Sequence, residues 1–255
     1  MICFENVSIS YGKREVVHRV SFALEQGNSL VILGPNGCGK TTLLRAFAGL
    51  IPYKGSILLD GKEVRSYKRE EMAKKVAYLG QMMFGDFSYT VEETVAMGCY
   101  AYKKKSWFMY MTEEEHRKID AILVQMDLDK LKDRLITNLS GGQLQRVFLA
   151  RTFAQEPDYI LLDEPTNHMD VRYQKELMEY LLAWEKEENH TLIGVFHDVS
   201  FATTIANHFL MIREGINIAF GKDCMQPSIL KKTFGFDFVK YMEESYTNFM
   251  KKIQN

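Results

Sequence analysis

The chain has 255 residues, 46% of them hydrophobic and 25% charged, and a formal net charge of −1. This is the composition of a globular protein, long enough for one large α/β domain or a domain carrying an inserted lobe. The near-neutral charge excludes a chain-wide pull toward nucleic acid or anionic membrane, though not a local basic patch.

Cys3, Cys38, Cys99 and Cys224 are scattered, without a CxxC pair or zinc-ligand spacing. Reduced thiols in the cytoplasm are the expectation. Met1–Asn6 lacks a basic region followed by an apolar stretch, so no signal peptide is expected. No run of about 18 apolar residues occurs, so the chain is not expected to span a bilayer by itself. If it serves a membrane process, it must dock on a partner that does span.

Ile2–Ser10, Val16–Leu24 and Ser29–Leu33 read as short strands, and residues 55–61 as a strand closed by the Asp60-Gly61 turn. A helix is predicted over Leu43–Leu50. Val91–Met97, Glu113–Met126 and Gln143–Phe153 then show helical apolar spacing, with Thr112 as an N-cap ahead of Glu113, Glu114 and Glu115. Tyr159–Leu162 and Thr191–Phe196 read as buried parallel strands, with an amphipathic helix over Val171–Glu187 between them. From about Gly221 a tail of one or two helices is expected. The order is a strand-rich start, a helical lobe and a return to an α/β core. In open α/β sheets, ligands sit at the carboxyl ends of the strands.

Directly after the third strand comes Gly34-Pro35-Asn36-Gly37-Cys38-Gly39-Lys40-Thr41, a match to G-x-x-x-x-G-K-[ST], followed by Thr42. The strand before it and the helix after it are the context this motif requires. Glycines let the backbone wrap closely, so that N–H groups point at phosphate oxygens, and the helix adds the positive end of its dipole. Lys40 supplies charge for the β- and γ-phosphates and Thr41 a hydroxyl for Mg²⁺. Cys38 stands near a helix N-terminus and Lys40, surroundings that lower a thiol pKa. It reads either as a redox-sensing thiol or as a tolerated small residue.

The strand Tyr159–Leu162 runs into Asp163-Glu164-Pro165, about 120 residues after the glycine loop. Neighbouring strand residues point to opposite sides, so Asp163 is expected to face a metal and Glu164 an attacking water. Asp163 suits Mg²⁺ held through water. Glu164 suits a general base or a group that orients the water.

Leu139-Ser140-Gly141-Gly142-Gln143 opens the helix Gln143–Phe153, about twenty residues before Asp163. Small residues, a Ser hydroxyl and free N–H groups make it a second anion-binding helix start. With this motif the chain resembles the ABC ATPase family over roughly residues 1–220. Further family marks fall in the family's order. Tyr11 resembles the aromatic residue that stacks on adenine. Gln81 resembles the glutamine that joins core to helical lobe and senses Mg²⁺ and the γ-phosphate. Asn167-His168-Met169-Asp170 resembles the segment crossing the dimer interface, and His197 the histidine at the γ-phosphate.

The resemblance implies an α/β fold, a P-loop NTPase (RecA-like) core with an antiparallel β subdomain and an inserted α-helical subdomain. It implies a single ABC ATPase domain over 1–255. Residues 1–85 and 155–220 would form the nucleotide-binding core with the β subdomain, 86–154 the helical subdomain with the signature, and 221–255 a helical tail. The implied nucleotide contacts are Tyr11, Gly34, Asn36, Gly37, Cys38, Gly39, Lys40, Thr41 and Thr42, with Ser140, Gly141, Gly142, Gln143 and Asp170. Glu164, His197, Lys40 and Gln81 would carry catalysis, and Thr41, Gln81 and Asp163 the metal. Ser140 and Gly142 would act in trans, so that two identical chains trap two ATP molecules head to tail and hydrolysis opens the dimer.

A lone motor domain of this kind resembles a bacterial importer subunit. The stretch Phe87–Tyr100 resembles the iron–siderophore, haem and cobalamin group, with Cys99 in place of the usual Arg and Ala101 in place of the usual Pro. That implies polytopic permease partners, an extracytoplasmic solute-binding protein, and a place on the inner face of the membrane. Met82-Met83-Phe84 and Lys103–Met111 are candidate docking surfaces for the permease. The second also reads as a core-facing helix start with solvated lysines, or as a weak attraction to anionic headgroups. The alternative function is a soluble, non-transport ABC ATPase such as one in iron–sulfur assembly.

Overall fold

In a computed structural model the described residues are 1–80, 89–102, 111–166, 169–186, 190–196 and 198–253. Gln81, Met82-Met83-Phe84, most of Lys103–Met111, Asn167, His168 and His197 lie outside them.

The strands in chain order are β1 (Ile2–Tyr11), β2 (Arg14–Leu24), β3 (Leu30–Leu33), β4 (Lys54–Leu59), β5 (Lys62–Glu63), β6 (Val76–Leu79), β7 (Tyr159–Asp163), β8 (Thr191–Val195), β9 (His208–Arg213) and β10 (Ile216–Gly221). The helices are α1 (Lys40–Phe47), α2 (Arg69–Lys75), α3 (Val91–Ala96), α4 (Glu113–Gln125), α5 (Gly141–Ala154), α6 (Val171–Glu185), α7 (Val199–Ile205), α8 (Pro227–Phe234) and α9 (Phe238–Ile253). The described residues pack as two compact units, Met1–Gly61 with His197–Asn255, and Lys62–Phe196.

In the first unit β1 pairs antiparallel with both β2 and β4, Ile2 facing Leu24 on one side and Leu59 on the other. Alternation, interrupted by a register shift between Phe4 and Val7, buries Phe4, Val7 and Ile9 of β1. Phe4 stacks on Phe22 at 4.4 Å and meets Phe47 of α1 at 5.8 Å, which ties the antiparallel strands to the first helix. Asp60 and Gly61 both take left-handed φ values, 52° and 76°, as the Asp-Gly pattern predicts for a tight turn. β3 runs parallel to β9, and β9 turns back antiparallel into β10. In the tail, Phe234, Phe236, Phe238 and Tyr241 form an aromatic cluster joining α8 to α9.

The second unit is built on the parallel strands β6, β7 and β8, with Val76 opposite Tyr159 and Tyr159 opposite Thr191. β7 and β8 are buried along their whole length, as their unbroken apolar runs require. Three of its helices start on capping boxes, at Thr90, Thr112 and Ser140. Thr112 accepts from the N–H of Glu115 at 3.2 Å, and Glu115 accepts from the N–H of Thr112 at 2.8 Å.

Most expected elements are present with end shifts of a few residues. The helix expected at Leu43 begins at Lys40, because Gly39 turns directly into it. It stops before Gly49, whose φ is 70°. β6, β9 and β10 escaped the sequence reading. β10 is only half buried and its alternation is weak, while β6 is four residues with no turn signal at its start.

Candidate nucleotide site

β3 delivers the chain into the glycine loop, and the loop's shape is left-handed at each glycine. Gly34, Gly37 and Gly39 have φ of 156°, 75° and 104°, values that an L side chain rarely adopts. Space adds a second demand. A Cβ on Gly34 would stand 2.0 Å from the carbonyl oxygen of Ile212, and one on Gly39 would stand 2.9 Å from Cγ2 of Val17. Asn36 and Gly37 form the exposed crest, while Gly34, Cys38, Gly39 and Lys40 are buried. Lys40 Nζ arches over the loop and donates to the carbonyl oxygens of Gly34 at 2.9 Å and Pro35 at 3.0 Å. Its ammonium is therefore held at the loop rather than extended into solvent. Thr41 is half buried and Thr42 buried, both in the first turn of α1.

Cys38 corrects the expectation of a lowered thiol pKa. Burial raises it above its ordinary value, and this outweighs the opposing pull of the Lys40 charge and of the backbone hydrogen bonds. Its Sγ would lie 2.9 Å from a Cβ at Gly34, so the side chain fills the inside of the loop. The small-residue reading of Cys38 is the one the geometry supports.

Tyr11, at the end of β1, is 49% exposed beside the tight turn at Gly12.

In the second unit Asp163 closes β7 and is 1% exposed. The phenol of Tyr78 in β6 donates to Asp163 Oδ2 at 2.8 Å. Glu164 is half buried, with φ of 54° and its N–H donating to Val195 O at 3.0 Å. The two carboxylates were expected to separate by strand alternation. Glu164 instead stands immediately past the strand in a left-handed conformation, one that costs a non-glycine residue about 1 kcal/mol. Such strain persists only where surrounding contacts impose it, and it clusters at functional sites.

Ser140 is the N-cap of α5. Its Oγ accepts from Gln143 N–H at 3.3 Å, and Gln143 Oε1 accepts from Ser140 N–H at 3.0 Å. Ser140 and Gly141 are exposed, whereas Gly142 lies under the ring of Tyr173, 2.7 Å from where a Cβ would sit. Asp170 caps α6, its Oδ1 accepting from Tyr173 N–H at 3.0 Å. The cap that holds α6 thus also sets the residue covering Gly142.

Comparison with known proteins places this geometry. Residues 17–167, from β2 through the acid turn, match the family described as ABC transporter. The ferric enterobactin transport ATP-binding protein FepC of Escherichia coli (strain K12) is 33% identical over 234 residues, 91% of this chain and 86% of that protein. The iron(3+)-hydroxamate import ATP-binding protein FhuC of Bacillus subtilis (strain 168) is 32% identical over 236 residues, 91% of this chain and 87% of that one. The dimeric, post-hydrolysis structure of the ATP-binding cassette MJ0796, bound to ADP and Pi, superposes with a TM-score of 0.74. It is 25% identical and covers 87% of this chain and 98% of that one.

The chain belongs to the ABC transporter family.

It is an ATP-binding, ATP-hydrolysing subunit of that family, with the P-loop NTPase fold. No helix among the described residues is long and apolar enough to cross a membrane. Within the first unit this ABC ATPase holds Tyr11 and the residues from Gly34 to Thr42. Within the second it holds Ser140–Gln143, Asp163, Glu164 and Asp170.

Sequence reasoning missed three supports. Gly215, in the β9–β10 turn, donates to Cys38 O at 3.1 Å and accepts from His18 N–H at 2.8 Å. It thereby pins the glycine loop to β2, and a Cβ there would lie 2.3 Å from Val16 O. Its signal was the Glu214-Gly215 pair. Tyr78 and Gln145, which donates to Pro165 O at 2.8 Å, carry no motif. Only the fold brings them to Asp163 and to the turn beyond it.

Proposed function

We propose that this ABC ATPase powers an importer of iron–siderophore type, working as a homodimer docked on permease subunits at the inner face of the membrane. Haem and cobalamin are the neighbouring cargo classes. What carries the reading is that chains named for ferric enterobactin and iron(3+)-hydroxamate transport align with more than nine tenths of this one. An ATPase of iron–sulfur assembly has no comparable support among these relatives. Residues 86–154 serve as the helical subdomain that meets the permease.

In this reading the backbone N–H groups of the loop from Gly34 to Gly39 bind the phosphates, and Lys40 exchanges its carbonyl partners for β- and γ-phosphate oxygens. Tyr11 stacks on the adenine. Thr41 and Asp163 offer hydroxyl and carboxylate oxygens, the hard donors Mg²⁺ takes, and Tyr78 fixes one of the Asp163 oxygens in place. When bound, Mg²⁺ supplies charge neutralisation for the transferred phosphate. Glu164 accepts the proton of the attacking water or orients it, helped by Gln81 and His197. Ser140 and Gly142, at the start of α5, act on the nucleotide of a second copy, with Gly141 exposed beside them. Asp170, exposed at the start of α6 and capping it, adds a further contact to the nucleotide.

The test is Glu164→Gln. Phosphate release should fall about 10²–10⁴-fold while ATP binding persists and a dimer accumulates on size exclusion. In cells lacking the wild-type chain, the variant should fail to restore ferric siderophore uptake that the wild type restores. Normal turnover by Glu164→Gln would remove the role given to Glu164. Wild-type restoration of growth but not of uptake would remove the importer.

A further inference from the structure

Gln145 lies one turn into α5, between Leu144 and Val147 on a buried face. It is 8% exposed. A buried amide in a helix is unfavourable unless its polar atoms are bonded, and an apolar residue would fill this position more cheaply. The amide has a partner, since Nε2 donates to the carbonyl oxygen of Pro165 at 2.8 Å. Pro165 follows Glu164, whose own N–H is held by Val195 O at 3.0 Å. The left-handed residue therefore has an anchor on each side, β8 on its N–H and α5 on the next carbonyl. Pro165 has a fixed φ and no N–H to offer, so its carbonyl is the handle by which the chain beyond Glu164 is held.

We propose that Gln145 is a positioning residue for hydrolysis, bracing the Glu164–Pro165 turn against α5 so that the Glu164 carboxylate is held in its working orientation. The inference rests on the reading of Glu164 as general base or water-orienting group. It gives α5 two jobs on one rigid rod. The N-terminus of the helix is the exposed Ser140–Gly141 start, and its next turn holds the hydrolytic turn of the same chain.

The test uses the full chain carrying Gln145→Leu, of similar size but without a donor, beside Gln145→Glu, whose ionised carboxylate faces a carbonyl and cannot donate to it. Steady-state kinetics, equilibrium binding of fluorescent ATP and thermal unfolding are measured on each. Turnover is expected to fall about 10–100-fold, the effect of displacing a catalytic group by about 1 Å. KM and the ATP dissociation constant should stay within about twofold, and the thermal midpoint of Gln145→Leu within about 4 °C, that of Gln145→Glu falling further because its carboxylate is buried without a donor. A dimer should persist in ATP, as expected of Glu164→Gln. Wild-type turnover in the leucine variant, or turnover lost together with ATP affinity, would overturn the brace. If the leucine variant does not fold, the glutamate variant carries the same test. Glu164→Gln serves as control. If it hydrolyses ATP normally, the reading of Glu164 fails; if it is inactive while Gln145→Leu turns over normally, the brace alone fails.

Discussion

Two glycine-rich segments each open a helix in this protein, and they use glycine for different reasons. In the loop from Gly34 to Gly39 the glycines are conformational necessities. All three are left-handed, and two would also collide with backbone or side-chain atoms of other strands if they carried a Cβ. At Ser140–Gly142 no glycine has a positive φ. The helix start is made by a reciprocal cap between Ser140 and Gln143, Gly141 faces open space, and Gly142 is small because Tyr173 lies on it. The first segment is shaped by its own backbone and by what it wraps against. The second is an ordinary capped helix whose surface has been kept clear.

The largest effect should come from Gly34→Ala. The clash with Ile212 O has no side chain to yield, so ATP binding should be lost along with roughly 3 kcal/mol of stability, read by nucleotide titration and denaturant unfolding. Retained ATP affinity would erase the distinction between the two starts. Next comes Ser140→Arg, which should block phosphate release while leaving ATP binding to the monomer nearly intact. It also forfeits a cap worth about 1 kcal/mol. Loss of monomer binding would mean that the second start serves its own chain's nucleotide.

The contrast inside the second start is smaller. Gly142→Ala should cost roughly 1–3 kcal/mol against Tyr173, and Gly141→Ala should stay within about 0.5 kcal/mol of wild type, both by denaturant unfolding.

The smallest effect concerns the sheet beneath the first start, where His208 opens β9 and its backbone N–H bonds to Ser29 O. Burial, and then the Lys222 charge, hold His208 below its ordinary 6.5, against a weaker raising pull from Glu25. A lowered histidine protonates more readily in the unfolded chain, so its contribution is intact above that value and is lost as pH falls below it. His208→Gln should flatten the decline of the thermal midpoint below pH 6.5, and an unchanged slope would acquit this residue.

The first start was legible in the sequence because its constraint is local: a strand, glycines at fixed spacing, a lysine and a threonine. Ser140 was legible for the same reason, as a cap followed three residues later by Gln143. What the sequence hid were contacts made by distant chain. Gly215 reaches Cys38 across a turn about 180 residues later, and nothing near residue 145 announces that its amide will meet Pro165. The thiol of Cys38 was misjudged because the sequence shows a helix start and Lys40 beside it, while the burial that outweighs them appears only in the fold. For Glu164, strand alternation supplied the expectation, but the backbone leaves the strand there for the left-handed region, an excursion that no side-chain pattern encodes.

That excursion bears on how the gene would respond to selection. Glycine at position 164 would relieve a left-handed cost of about 1 kcal/mol and remove the carboxylate at the same stroke. A screen that rewards only soluble, heat-resistant protein would therefore enrich an inactive variant at this codon. Glutamate persists there only under continuous pressure for turnover, because a sturdier allele is a single-base change away.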